Sequence, residues 1–443
     1  MVTTRVLPRL IVSPQERSVG AMSHPRPQRL TADCVVVKLR SHQAMRKRLE
    51  RALEGGPAPV LETLMQNGYA RRIQPIFSTP PQARAGLIPK LSAAVSAATE
   101  DKATRALVSI RVDSSVRAED LAAYLRDQGE EIEYAFVPPI KHYFAQGSTN
   151  VGPDPLSSRQ WAHGAVKIHV ARQQADFKDA QEVKVAVVDS GIDEDHPDLK
   201  DSISSYVNYI ANEDKRDVVG HGTHVAGIIA AGINNAVGVS GLCRAKIMVV
   251  KGLPHPDSDY DPDEYYRALS HPVDHGADII NLSLGGGYDA AERDIIEDAL
   301  EAGITVVAAM GNEYAEGNPV EYPAGYSGVI AVGACDEMDR RASFSNTGDH
   351  IDLVAPGVRI LSTVPQYPSL FAATVLYDSW PGTSMATPHV AAAAALLKAR
   401  DGSLKPVDVQ ESLRASADRV SHQAAHPDED YGWGRLNIAN ALL

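Results

Sequence analysis

The chain has 443 residues, 44% of them hydrophobic and 22% charged, which is enough apolar mass for one large core and a smaller second one. Its formal net charge of −13 argues against nucleic acid or an anionic membrane surface as the main partner, because both require a basic face. Three widely spaced cysteines, Cys34, Cys243 and Cys335, are odd in number and do not suggest a disulfide framework; they read as small buried hydrophobes.

Residues 1–30 are rich in Pro, Arg and Ser without periodicity and are expected to form a disordered tail. Prolines and arginines interrupt every apolar stretch there, so no secretory signal is expected. No segment of the chain approaches the roughly 18 apolar residues of a membrane span. The expectation is a cytoplasmic protein, or one exported without a conventional signal peptide.

Residues 31–144 read as a small α+β domain. The strand-like CVVVKL is followed by an amphipathic helix near 43–53 and a second apolar segment ending in IQPIF at 73–77. After a Pro- and Ala-rich connection come ALVSIRV at 106–112, a helix over 115–128 closed by Gly129, and IEYAFV at 132–137. The order βαβ–βαβ packs as four strands with two helices on one face, the ferredoxin-like arrangement. Residues 145–158, with GSTNVGPDPLSS at 147–158, have the composition of a linker.

From 159 to 443 the pattern changes. VKVAVVD, AKIMVVK, ADIINLSL, GITVVAAM and GVIAVGA are continuous apolar runs rich in β-branched residues, separated by helical stretches such as 290–302. Strands of this kind are buried on both faces. The expected architecture is a parallel sheet with helices on both sides and chemistry at the carboxyl ends of the strands.

Three motifs fall at such ends. VAVVDSGID, at 185–193, delivers Asp189 from an apolar strand into a turn, where an Asp is either a turn-former or a catalyst. HGTHVAGIIAA, at 221–231, puts His221 at a helix start with His224 three residues on, a spacing that also suits a metal pair. GTSMATPHVAAAAALL, at 382–397, puts Ser384 at the entry of an Ala-rich helix, where a plain N-cap is the bland reading. Taken together the three supply the parts of nucleophilic catalysis: a serine, a base in reach, and an acid that fixes the base's tautomer.

The order Asp, His, Ser with these flanking residues resembles the subtilisin family of serine peptidases, over about residues 145–443. NLSLGG at 281, AAMGNE at 308, YPAGYSGVIAVGA at 322, FSNTGDHIDLVAPG at 344 and YGWGRLNIANAL at 431 extend the resemblance. It implies Asp189 as the orienting acid, His221 as general base and acid, Ser384 as nucleophile and Asn312 as side-chain donor to the oxyanion. Ser283, Leu284 and Gly285 match the strand that pairs with substrate. Glu321 and Glu313 match the base and rim of the pocket for the side chain before the scissile bond. Asp198, the loop residues Ile233, Asn235, Val237 and Val239, and Gln146 match a structural calcium site, although the loop stands one residue further from the HGTH helix than the family's spacing.

The N-terminal domain resembles the family's propeptide in element order and in the ending PPIKHYFAQ. That implies a self-processed precursor whose own propeptide is an intramolecular inhibitor, with cleavage after Phe144, and with protein or peptide substrates as the other partners. An unrelated accessory domain is the alternative. For the whole chain the alternatives are a non-catalytic scaffold on the same fold, which would ordinarily lack a triad member, and a transpeptidase using the same acyl-enzyme.

Overall fold

The computed structural model describes residues 34–39, 64, 70–75, 107–112, 117–126, 132–137, 142–143 and 157–443. The expected tail at 1–30, the helix near 43–53, most of the linker at 145–158, the junction at Phe144 and the ligand candidate Gln146 lie outside the described residues. The chain divides into two compact units, one of Met1–Ile140 with Asp261–Asp263, the other of Lys141–Tyr260 with Glu264–Leu443.

In the smaller unit, strands β1 (Cys34–Leu39), β2 (Ala70–Pro75), β3 (Leu107–Val112) and β4 (Ile132–Phe136) form one sheet in the order β2-β3-β1-β4. Every neighbouring pair is antiparallel, and this is the strand order of the ferredoxin-like arrangement. The helix Ala118–Arg126 buries Ala118, Leu121, Ala122 and Leu125, the i, i+3, i+4, i+7 stripe of an amphipathic helix. That stripe shares a core with Val35, Val37, Ile110, Ile132 and Ala135.

In the larger unit, His142–Tyr143 (β5) is followed by β6 (Lys184–Asp189), β7 (Ile203–Asn208), β8 (Lys246–Lys251), β9 (Ile279–Leu282), β10 (Leu284–Gly285), β11 (Thr305–Ala309), β12 (Ile330–Cys335) and β13 (Leu353–Pro356). Seven of these make a parallel sheet in the order β13-β12-β11-β9-β6-β8-β7. Its inner strands are the continuous apolar runs of the sequence, buried at nearly every position. Two edge strands escape sequence reading. β7 (ISSYVN) is polar and half exposed, and β13 (LVAP) is four residues long and ends in Pro356, as an edge permits.

The chain builds β6, β7 and β8 toward one edge and then returns past β6 to lay β9, β11, β12 and β13 toward the other. Between β6 and β9 it therefore has a topological switch point, where loops diverge at the carboxyl ends and leave a crevice. The helix Thr383–Arg400 is buried from Thr383 to Leu397. It packs against β9, β11, β12, β13 and the helix His221–Ala230, and its five consecutive alanines, Ala391–Ala395, permit that close approach. Cys34, Cys243 and Cys335 are all buried and unpaired by disulfide, and burial pushes the Cys243 thiol up to about 12.

Candidate active site

Asp189 is the last residue of β6, beside the switch point, and is buried. His221 opens the helix His221–Ala230 after Gly220, which sits at φ +92°. The imidazole Nδ1 lies 2.8 Å from Asp189 Oδ1 and 2.9 Å from Oδ2. A carboxylate accepts, so Nδ1 carries the proton and the tautomer leaves the Nε2 lone pair as the basic site. The approach depends on Gly222: a Cβ there would stand 2.1 Å from Gly191 O and 3.1 Å from Asp189 Cβ. His224 does not join His221 in a metal pair. It is buried, stacked on Trp380 with ring centroids 4.6 Å apart, and its Nε2 lies 3.3 Å from Asp378 O.

Ser384 stands in the first turn of Thr383–Arg400, and its hydroxyl donates to Ser283 O at 3.0 Å. Ser283 Oγ donates in return to Ser384 O at 2.9 Å. This pair brings the helix start onto the segment between β9 and β10. Asn312 follows β11, and its Oδ1 accepts from Thr383 N and Thr383 Oγ1, both at 3.0 Å. A backbone N–H can only donate, so the atom facing it is the amide oxygen. The Asn312 amide nitrogen is thereby turned away from Thr383 as a donor, beside the residue that precedes Ser384.

Leu284 and Gly285 of β10 pair antiparallel with Tyr143 and His142 of β5, and Gly286 continues the edge by exchanging backbone hydrogen bonds with Tyr322. Glu313 and Glu321 meet beside Gly311. A Cβ on Gly311, which has φ +104°, would lie 2.8 Å from both Glu313 Oε2 and Glu321 Cγ. Glu313 Oε2 accepts from Asn312 N at 2.6 Å, and burial pushes the Glu313 carboxyl above its ordinary range.

Residues 180–434 match the profile of the Subtilase family, Peptidase_S8. The chain belongs to that family. The thermophilic serine proteinase of Bacillus sp. (strain AK1) is 38% identical over 263 residues, covering 58% of this chain and 61% of that protein. Subtilisin of Bacillus pumilus is 37% identical over 264 residues, covering 58% of this chain and 90% of that protein. Among solved structures, fervidolysin from Fervidobacterium pennivorans, described as a keratinolytic enzyme related to subtilisin, superposes with a TM-score of 0.69 at 23% identity, over 94% of this chain and 62% of that one. That likeness speaks for the fold.

In this subtilase, among the metal candidates within the described residues, Asp198 is hydrogen-bonded to the loop that carries Ile233, Asn235, Val237 and Val239. Asp198 Oδ1 accepts from Asn235 Nδ2 at 2.7 Å and Oδ2 from Val239 N at 2.8 Å. The Asn235 oxygen accepts from Val237 N at 2.8 Å, and Ile233 O accepts from Arg244 Nη2 at 2.9 Å. Along the loop Asn234, Ala236 and Gly238 alternate into the left-handed region at φ +58°, +59° and +57°. For the two non-glycines that costs about 1–2 kcal/mol each, so something must hold the loop in place. Among the described residues no group of three or more His, Cys, Asp or Glu side chains could hold a metal. The donors here are one carboxylate and neutral oxygens, hard ligands of the type calcium takes.

Two buried charged residues of this subtilase carry no motif and were not singled out from sequence. Lys251, at the end of β8, pairs with Glu213 at 3.0 Å and donates to Asp214 O and Arg216 O. Asp217 follows directly on that loop and is fully buried. The faint signal for Asp217 is its place four residues before His221, inside DVVGHGTH.

Proposed function

We propose that this subtilase is a serine endopeptidase acting through an acyl-enzyme on Ser384. The observation that carries the reading is the buried Asp189–His221 pair with its tautomer fixed, at the end of β6; Ser384, held on Ser283 just past β9, and Asn312, just past β11, lie at the carboxyl ends of parallel strands of the same sheet, which supports it. In the reaction Ser384 Oγ attacks the substrate carbonyl carbon and its proton passes to His221 Nε2. Asp189 stabilises the imidazolium formed, which then protonates the leaving amine. The oxyanion is met by the Asn312 amide and the Ser384 N–H. An extended peptide adds as a strand along Ser283–Gly285, so unfolded segments are the expected substrates.

The reading includes a precursor. Pairing of His142–Tyr143 with Gly285 and Leu284 supports a propeptide tail lying along the same edge that a substrate would use, with cleavage after Phe144. The meeting of Glu313 and Glu321 beside Gly311 supports a pocket that favours Arg or Lys before the scissile bond, because a cation relieves two neighbouring carboxylates. Calcium would be held by Asp198, Asn235 and the carbonyls of Ile233, Val237 and Val239, with Gln146 as a further ligand. Its role there is structural, to brace the strained loop.

The test compares wild type with Ser384→Ala. Wild type is expected to shorten to a form beginning at Ala145, to cleave peptides and to be labelled by an active-serine phosphonate. Ser384→Ala is expected to stay full length, inert and unlabelled while keeping its near-UV circular dichroism. Labelling that survives the substitution overturns the assignment.

A further inference from the structure

The turn that carries His221 is held by a second buried carboxylate. Asp217 Oδ1 accepts from Gly220 N at 2.7 Å and from Ser190 Oγ at 2.8 Å. Its Oδ2 accepts from Thr223 N at 2.9 Å and from Thr223 Oγ1 at 2.5 Å. Gly220 and Thr223 flank His221 on either side. Ser190 directly follows Asp189, and its own N–H donates to Asp189 Oδ1 at 2.7 Å. One residue, Ser190, therefore touches both carboxylates.

The hydroxyl protons have no freedom in this arrangement. Ser190 Oγ accepts from Gly222 N at 3.0 Å, and Thr223 Oγ1 accepts from Asp193 N at 3.0 Å. Each hydroxyl already receives a backbone N–H, so its own proton points at Asp217. Four donors then converge on one carboxyl group, and only the ionised form can accept all four. Burial pushes the Asp217 carboxyl up, and the donors from Thr223, Gly220 and Ser190 oppose that. Among the described residues Asp217 makes no ion pair, so its charge is held by hydrogen bonds alone, a costly arrangement to maintain in a fully buried site.

A plain helix cap accounts for only half of this. The helix His221–Ala230 receives no side-chain cap from Gly220, and Asp217 supplies one through Gly220 N and Thr223 N. Capping does not require Ser190. The Ser190 bond joins the helix start to the end of β6, and Lys251 fixes the loop leading into Asp217 through Asp214 O and Arg216 O.

We propose that Asp217 is a positioning residue for catalysis, an ionised clamp that ties the turn after Asp189 to the turn around His221 and so sets the geometry of the acid–base pair. The proposal rests on the peptidase reading of Asp189 and His221. It acts through those residues and makes no contact with substrate. Misplacement of a catalytic group by about 1 Å costs on the order of 10²-fold in rate, which sets the scale expected on losing the clamp.

The experiment uses the full chain as wild type, Asp217→Asn, Thr223→Val and Thr223→Ser, each titrated with the active-serine phosphonate and assayed on one peptide. Asparagine turns an NH2 toward two of the four donors, so kcat is expected to fall about 10- to 100-fold with KM within about threefold. Thr223→Val, which loses the hydroxyl, is expected to lower kcat about 5- to 20-fold, while Thr223→Ser, which keeps it, stays within about twofold. If Asp217→Asn gives no cooperative calorimetric transition, the Val and Ser pair decides, since valine matches threonine in shape. The proposal is overturned by a folded Asp217→Asn with wild-type kcat, by a loss carried in KM, or by Val and Ser variants of equal activity. Wild type that takes no phosphonate overturns the peptidase reading and this one with it; labelled wild type beside unaffected variants overturns this one alone.

Discussion

Two pairs of acidic side chains lie near the crevice of this subtilase, and they are handled in opposite ways. Asp189 and Asp217 are buried, and each carboxylate meets donors built into the chain: His221 and Ser190 N–H for one, and four N–H and O–H groups for the other. Glu313 and Glu321 are only partly buried and converge on the same spot beside Gly311. The first pair is preorganised, so little needs to rearrange when charge develops on His221. Under the proposed function the second pair would gain when a substrate cation arrives. On the proposed reading, charge that serves the chemical step is satisfied in advance, whereas Glu313, which accepts from Asn312 N, and Glu321 would be stabilised further by a substrate cation.

The largest expected effect probes the preorganised side. Asn312→Ala removes an amide whose oxygen is anchored by Thr383, and kcat should fall about 10²- to 10³-fold with KM little changed, equivalent to about 2.7–4 kcal/mol of transition-state stabilisation. Steady-state kinetics on a single peptide checks this, and a loss under tenfold would remove Asn312 from the oxyanion site.

Asp198 lies between the two extremes, since its oxygens accept from Asn235 and Val239 yet its loop is strained. Calcium at about 100 times its Kd should stabilise the fold by about 2.7 kcal/mol. A chelator should therefore lower the Tm of Ser384→Ala, used to prevent self-digestion, by several degrees, and Asp198→Asn should abolish that response. An unchanged Tm would mean that the hydrogen bonds alone support the loop.

On the substrate-reading side, Glu321→Gln should lower the ratio of kcat/KM for Arg over Leu before the cleaved bond by about tenfold, the scale of one charge-assisted hydrogen bond. A ratio untouched by the substitution would assign Glu321 to an internal role.

The smallest effect comes from buried histidines outside either pair. Burial lowers His163 and His224 to about 3 and His389 to about 4. Each is held neutral in the folded chain but gains a proton near 6.5 when unfolded. Their contribution is thus fully present above about pH 6.5 and is lost as the pH falls from there to the folded values of about 3 for His163 and His224 and about 4 for His389, by at most about 1.4 kcal/mol per pH unit each. Carboxyls raised by burial, such as Asp198 and Asp217, act with the opposite sign, so the decisive quantity is a difference. Urea unfolding of His163→Phe between pH 6.5 and 4.5 should have a shallower slope than its parent, and equal slopes would exclude the histidine.

What could be read from sequence follows from how far each signal reaches along the chain. The inner strands β6, β8, β9, β11 and β12 announce themselves because burial on both faces demands unbroken apolar runs. Asp189, His221 and Ser384 are legible because each sits within a turn whose glycines and small residues are themselves required. Lys251 leaves no sequence signal, and Asp217 only a faint one, its place just before His221. A buried charge is defined by partners such as Ser190, Thr223 and Glu213, which lie on other elements and leave no periodicity. Likewise the meeting of Glu313 and Glu321 depends on the fold around Gly311, although each was a candidate by itself. The edge strands β7 and β13 were missed because an edge relaxes the apolar demand that reveals the centre.

The helix Thr383–Arg400, with Ser384 in its first turn, is buried from Thr383 to Leu397 and has neighbours on the five strands β6, β9, β11, β12 and β13 and on the helix His221–Ala230. Local fluctuations release segments with few buried contacts, whereas a helix at the centre opens only when the whole unit does. Amide protons along Ala391–Ala395 should therefore exchange with solvent only at the rate set by global unfolding. For the proposed peptidase, whose own unfolded chains would be among its substrates, this has a kinetic meaning. The nucleophile does not drift out of place ahead of the fold, so heat inactivation and global opening form a single event, and the lifetime of activity is the lifetime of the native state.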